Sequence, residues 1–126
     1  MFSGCAKLTN INTIQLNATT LYPHCYAYMF KGCTTAVGYP TLPAMTMAPG
    51  CYMGMYANCL AQTTISDNYL PATTLAPSCY YQMFSECKNL TQMPTLPATE
   101  MADYCYASMF YWCNLQTIDS GKLSGT

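Results

Sequence analysis

Nine cysteines are the residues of this 126-residue chain whose chemistry could define a function. A thiol can form a disulfide, bind a metal or act as a nucleophile, and each role requires a particular spacing. The cysteines fall in two columns, and each member of the first precedes one of the second by eight residues. The first column is Cys25, Cys51, Cys79 and Cys105, and the second is Cys5, Cys33, Cys59, Cys87 and Cys113.

This spacing suits none of the reactive roles well. Cysteines eight residues apart on one helix lie about 12 Å apart by helical rise, which is too far for a disulfide. No Cys-x-x-Cys pair exists, and His24 is the only histidine, so a zinc site is poorly supported. We therefore expect buried, mostly free thiols that fill space as small apolar side chains. Disulfides between repeats and a metal site remain the alternatives.

The two columns belong to a longer repeat. A tyrosine follows each first-column cysteine, and Met-Phe or Met-Tyr stands four residues after it. Leu-Pro-Ala, or a variant of it, begins nine residues before the same cysteine. The period alternates between 26 and 28 residues, and a fixed period of this size indicates a solenoid, propeller or similar array. We predict one solenoid domain over 1–126, with a partial repeat at 1–5, full repeats at 6–33, 34–59, 60–87 and 88–113, and a C-terminal tail or cap at 114–126.

Each repeat contains two segments with a distinct pattern. From Cys105 to Cys113, the repeated residues occupy positions i, i+1, i+4, i+5 and i+8, which predicts one face of a short helix. A short apolar and Thr-containing segment such as 90–93 follows each second-column cysteine and predicts a strand. Leu-Pro-Ala ends the strand because proline donates no hydrogen bond. The expected unit of strand, turn and short helix buries its apolar face only by stacking on its neighbours.

Alternate repeats contain two additional residues, in the stretches 11–15 and 65–69. Insertions in repeat proteins usually map to one face. We therefore expect alternate repeats to carry a longer loop on the same side of the stack.

The pattern from Cys87 to Cys113 resembles the leucine-rich repeats of the BspA type. It is Cys-x-x-Leu-Thr-x-x-Pro-x-Leu-Pro-Ala-Thr-x-Met-Ala-x-x-Cys-Tyr-x-x-Met-Phe-x-x-Cys, and the likeness covers about residues 1–113. The resemblance implies an α/β fold, a right-handed leucine-rich-repeat-like solenoid. It also implies an extracellular or cell-surface location, with a virion protein as the alternative. A host or cell-surface protein or glycan would be the partner in adhesion, and no catalytic residues carry over.

Composition excludes several classes of function. The net charge is −1, only 7% of the residues are charged and arginine is absent, so a basic patch for nucleic acid cannot form. No apolar run approaches the eighteen residues of a membrane-spanning helix. Paired carboxylates, a nucleophile elbow and a phosphate-binding loop are also missing from the sequence. We therefore expect no enzyme, no cofactor and no membrane insertion.

Five aromatic residues stand where other repeats hold small or polar residues, namely Tyr28, Tyr81, Tyr104, Tyr111 and Trp112. Exposed aromatics are typical of contact surfaces, although ordinary surface tyrosines are the alternative interpretation. The candidate function is a recognition or adhesion module that binds a protein or glycan. The alternative is a structural spacer in a larger surface or virion protein. Clustering of the variable positions on one face would favour recognition.

The first five residues, 1–5, match 29–33 except at Lys31, so the chain opens inside a repeat. The terminal repeat of a solenoid exposes an apolar stacking surface unless a cap covers it. We therefore expect further repeats or self-association at the N-terminal end. The polar tail after Cys113 is expected to close the other end.

Overall fold

The repeats stack directly on one another in the computed structural model, which describes residues 1–116 and 119–122. Rings from successive repeats form two continuous columns. Centroids in one column are 5.6 to 5.7 Å apart and in the other 5.7 to 6.0 Å. The columns are Phe2, Phe30, Tyr56, Phe84 and Phe110, and Tyr26, Tyr52, Tyr80 and Tyr106. Equivalent residues thus occupy equivalent places, as the repeat predicted, and each repeat is called a rung below.

The predicted fold class is nevertheless wrong. In the described residues, the helical element is one 3-10 helix, Ser120–Lys122. Between described residues, isolated parallel bridges join Asn10 with Val37, Thr46 with Thr74, and Thr74 with Glu100. The chain is therefore not an α/β, right-handed leucine-rich-repeat-like solenoid, and its rungs do not consist of a strand plus a short helix.

A series of tight turns replaces the predicted helix between the paired cysteines. We call the residues 23–33, 49–59, 77–87 and 103–113 the turn segments. In the first segment, the N–H of Ala27 bonds the carbonyl of His24 at 3.1 Å, and the N–H of Met29 bonds the carbonyl of Tyr26 at 3.3 Å. Each bond spans three residues, whereas an α-helical bond spans four. Every second N–H is used in this way.

The intervening N–H groups bond the next rung. Tyr26 donates to the carbonyl of Cys51 at 2.9 Å, and Tyr28 donates to that of Met53 at 2.8 Å. Five such bonds connect the first complete turn segment to the second, and their donors are His24, Tyr26, Tyr28, Phe30 and Gly32. An α-helix would use these N–H groups internally and leave none for the neighbouring rung. The backbone therefore divides its donors equally between turn and stack.

Positive φ recurs at every fourth residue of the turn segments. A type II turn requires this left-handed conformation at its third residue. Glycine occupies this conformation at four positions, which are Gly4, Gly32, Gly50 and Gly54. Nine other residues adopt it despite their side chains, namely His24, Tyr28, Asn58, Ser78, Gln82, Glu86, Tyr104, Ser108 and Trp112.

The inner side of the turn segments forms the core. Cys51 and Cys79 are completely buried, and so are Met55 and Met83. The expectation of buried cysteines is confirmed for these two residues, and the methionines form a second buried column beside them. The core is therefore continuous along the stack, because each rung contributes the same buried side chains to it.

The longer loops lie on one side of the stack, as their spacing predicted. Asn12 from the first and Asn68 from the second line the same depression. The described part of the tail runs beside rung 88–113, where the N–H of Gln116 bonds the carbonyl of Thr91 at 3.2 Å. The predicted tail or cap at 114–126 includes 117–118 and 123–126, which lie outside the described residues.

Candidate recognition surface

The five candidate aromatic residues all lie on turn segments, but the structure brings only part of the set together. The rings of Tyr111 and Trp112 stack with centroids 5.4 Å apart and planes 15° from parallel. Tyr104 stands at the start of the same turn segment. Tyr81 belongs to the preceding rung and is half-buried, whereas Tyr28 lies two rungs before Tyr81. The strongest grouping is therefore on rung 88–113.

Three of the candidates occupy left-handed backbone positions. Tyr28, Tyr104 and Trp112 have φ values of 56°, 57° and 59°. For an L-residue this conformation costs roughly 1–2 kcal/mol, because Cβ approaches the following carbonyl oxygen. Glycine occupies the equivalent positions in rung 34–59 for the first two, at Gly54 and Gly50. The turn therefore fixes the backbone conformation, and the side chain is an addition to it.

Tyr28 makes contacts within the stack. Its hydroxyl lies 3.1 Å from the Met53 sulfur, and the Lys31 ammonium lies 5.2 Å from its ring centroid. The ring also covers Gly54, where an added Cβ would be 2.4 Å from a ring carbon. Glycine at position 54 thus makes room for the tyrosine of the preceding rung. These contacts give Tyr28 a structural reason to be present.

Tyr104 and Trp112 have less contact with the stack. The exposed fractions of the two residues are 72% and 63%. The Lys88 ammonium is 5.9 Å from the Trp112 ring centroid, a cation–π contact at an exposed site. We call the exposed side chains of Tyr104, Tyr111 and Trp112, all on the last turn segment, the aromatic surface.

The cysteine columns do not form a reactive site. Burial raises the pKa of Cys51 to about 11 and the pKa values of Cys59 and Cys79 to about 12, so these thiols stay protonated at neutral pH. All nine cysteines are free, and Cys5 and Cys25 are exposed. In the described part of the chain, no three His, Cys, Asp or Glu residues are grouped to hold a metal. The buried thiols are therefore structural.

Sequence reasoning missed the left-handed positions and one exposed aromatic residue, Tyr22, which is 73% exposed. A signal for the backbone conformation was present in rung 34–59. Gly50, Gly54 and Asn58 follow one another at intervals of four residues, and Gly and Asn are the residues that most readily adopt positive φ. Nothing comparable in the sequence distinguished Tyr22.

Comparison with protein-family models, with curated proteins and with solved structures finds no match to this chain. Within the described residues, no helix has the length and apolar character needed to cross a membrane. The lack of regular strand and helix contradicts the expected leucine-rich repeat. Nothing found in the structure or the comparisons supports the expected adhesion or cell-surface role.

Proposed function

We propose that the chain is a non-catalytic repeat module that binds a protein or glycan through the outer side of rung 88–113. The aromatic surface formed by Tyr104, Tyr111 and Trp112 is the binding surface. The observation that carries the proposal is the presence of large, exposed aromatic side chains at backbone positions that favour glycine.

The free-energy cost of placing a side chain at a left-handed backbone position explains why this observation is informative. Tyr104 adopts a conformation that costs about 1–2 kcal/mol relative to an ordinary one. Gly50 occupies the same position two rungs earlier, so the turn forms without a side chain there. Because Tyr104 is mostly exposed, burial of its ring does not offset the cost. Every turn segment has positive φ at this position, so the turn sets the conformation, and the large exposed ring of Tyr104 is an addition that the turn does not require.

The chemistry of the surface suits recognition by contact. Tyr and Trp offer a large rigid area at low cost in conformational entropy and dominate many binding interfaces. The stacked rings of Tyr111 and Trp112 present an aromatic platform beside the Lys88 ammonium. With a net charge of −1, the chain has little long-range electrostatic attraction for a partner.

The test is the double variant Tyr104→Gly/Trp112→Gly. We expect unchanged or higher thermal stability, because both substitutions relieve positive-φ strain. The double variant should lose binding to at least one set of ligands that the unmodified chain selects from a glycan microarray or from a displayed peptide library. Tyr28→Gly is the matched control, since it changes a left-handed aromatic residue that packs within the stack. The proposal would be contradicted if the double variant bound every selected ligand as well as the unmodified chain does.

A structural spacer within a larger protein is the second candidate. Five main-chain hydrogen bonds at a junction and continuous ring columns favour a stiff rod. A spacer would select no ligand from either library. It would also tolerate both glycine variants without any change apart from stability.

A further inference from the structure

The longer loops create a depression on the side of the stack where they lie. We call it the first depression. Asn12 comes from the longer loop of rung 6–33, Tyr39 from the short loop of rung 34–59, and Asn68 from the longer loop of rung 60–87. Its volume is about 450 Å³, which is within the range of small-molecule sites. Two long loops flanking a short one produce this shape.

The alternation of loops produces a second depression two rungs later. Asp67, Met93 and Lys122 line it. Lys122 occupies the position of Asn68, because each stands nine residues after a second-column cysteine. By the same count, Asp67 corresponds to Thr13 and Met93 corresponds to Tyr39. The two depressions can therefore be compared residue by residue.

An ion pair between the chain's own side chains spans the second depression, whose volume is about 300 Å³ against about 450 Å³ for the first. The Lys122 ammonium forms an ion pair with the Asp67 carboxylate and donates to the Met93 carbonyl at 3.0 Å. The Lys122 side chain is only 23% exposed. The Lys122 ammonium on the tail thus reaches across the short loop to the Asp67 carboxylate on the longer loop of rung 60–87.

The first depression lacks this bridge. Thr13 and Asn68 stand where the second depression has Asp67 and Lys122. None of the described residues that line the first depression is charged. A charged ligand would find no counter-ion there, so the lining favours a neutral one.

The polar and the apolar residues of the lining further indicate which class of neutral ligand fits the first depression. Asn12, Thr41, Ser66 and Asn68 supply amides and hydroxyls, which both donate and accept hydrogen bonds. The apolar part of the lining contains Leu42, Pro43 and Pro71, together with Tyr39, whose ring packs in the core against Tyr56 and Tyr69. Sugar hydroxyls likewise donate and accept, and the C–H faces of sugar rings pack on apolar surface. A saccharide matches both parts of the lining.

Asn12 is held in place before any ligand binds. Its side-chain oxygen accepts the Tyr39 N–H at 3.0 Å. Gly38 makes this possible, because a Cβ there would lie 2.3 Å from the same oxygen. The Asn12 amide NH₂ group therefore keeps a fixed direction, and prior ordering of a polar group lowers the entropic cost of binding.

We propose that the first depression binds a neutral saccharide, with Asn12, Ser66 and Asn68 contacting its hydroxyls and the partly exposed rings of Pro43 and Pro71 contacting a ring face. This site is separate from the aromatic surface of rung 88–113. Its occupancy does not depend on Tyr104 or Trp112, so the two proposals can fail independently.

The decisive variant is Thr13→Asp/Asn68→Lys, which copies the ion pair of the second depression into the first. A microarray of neutral and acidic glycans identifies the probe, and NMR titration with the selected neutral saccharide gives the affinity. We expect the unmodified chain to bind a neutral saccharide and the variant to bind it at least about tenfold more weakly. Tyr104→Gly/Trp112→Gly, the matched control, should bind it as the unmodified chain does.

Three results would overturn the proposal: no neutral glycan bound, only acidic glycans bound, or undiminished affinity in Thr13→Asp/Asn68→Lys. Circular dichroism and thermal unfolding establish that this variant is folded. If it is not, Ser66→Ala/Asn68→Ala provides the same test by removing two exposed polar groups of the lining.

Discussion

The thiol of Cys87 donates a hydrogen bond to the main-chain carbonyl of Tyr56, 3.1 Å away in the preceding rung. The same bond joins each of the other second-column cysteines after Cys5 to the aromatic residue of the rung before. It occurs from Cys33 to Phe2, from Cys59 to Phe30 and from Cys113 to Phe84. The second cysteine column therefore supplies a small buried donor as well as apolar volume.

Replacing Cys87 by alanine should lower the free energy of unfolding by about 1–3 kcal/mol, because it removes both the hydrogen bond and buried volume. Urea unfolding followed by circular dichroism measures the change. Cys25→Ala is the matched control: Cys25 is exposed, so its replacement should change stability by less than about 0.5 kcal/mol. Equal costs at the two positions would show that the buried bond contributes nothing.

The buried thiols should make the fold sensitive to alkali. Burial raises the pKa of Cys51 from 9.0 to about 11 and the pKa of Cys59 to about 12. Above about pH 9 the unfolded chain therefore loses protons that the folded chain retains, and this favours unfolding. The free energy of unfolding should be insensitive to these thiols below about pH 9 and fall between about pH 9 and pH 12. Urea midpoints over this range test it, and a constant midpoint would contradict it.

The left-handed positions predict a coupling between Gly54 and Tyr28. Gly54→Ala should be destabilising for two reasons, since alanine at φ 57° is strained and its Cβ would meet the Tyr28 ring at 2.4 Å. Gly32→Ala has the first cost but not the second, because the nearest atom to its Cβ is 3.6 Å away. We expect about 1–2 kcal/mol at Gly32 and more at Gly54.

A double-mutant cycle isolates the second cost. In the Tyr28→Ala background, Gly54→Ala should cost about as much as Gly32→Ala does in the unmodified chain. Thermal or urea unfolding of the four proteins gives the coupling free energy. A coupling of zero would mean that the Tyr28 ring moves aside without loss.

The sequence predicted the stacking of rungs but not the local structure of each rung. Residues at i, i+4 and i+8, such as Cys105, Met109 and Cys113, fit one face of a helix only approximately. An α-helix has 3.6 residues per turn, so residues spaced four apart move gradually from one face of the helix to the next. The turn segments repeat after four residues, which keeps these positions on one face without drift. Both structures bury the same residues, and burial alone could not separate them.

The hydrogen bonds between rungs could also not be predicted from the residues of one repeat considered alone. The choice between helix and turn depends on whether Tyr26 donates its N–H within its own segment or to Cys51 of the next rung. That choice is made by the stack as a whole. The first depression was hidden for a related reason, because Asn12 and Asn68 are brought together only when the rungs lie in register.

The ion pair between Lys122 and Asp67 should stabilise the fold modestly. Because Asp67 is 64% exposed, we expect Lys122→Met to lower the free energy of unfolding by about 1 kcal/mol or less, and by less still at high salt. The same interaction copied into the first depression by Thr13→Asp/Asn68→Lys should raise stability by a similar amount. Urea unfolding at low and high salt measures both changes. Stability of Lys122→Met equal to that of the unmodified chain at every salt concentration would show that the bridge does not form in solution. The copied bridge could then not be expected to close the first depression.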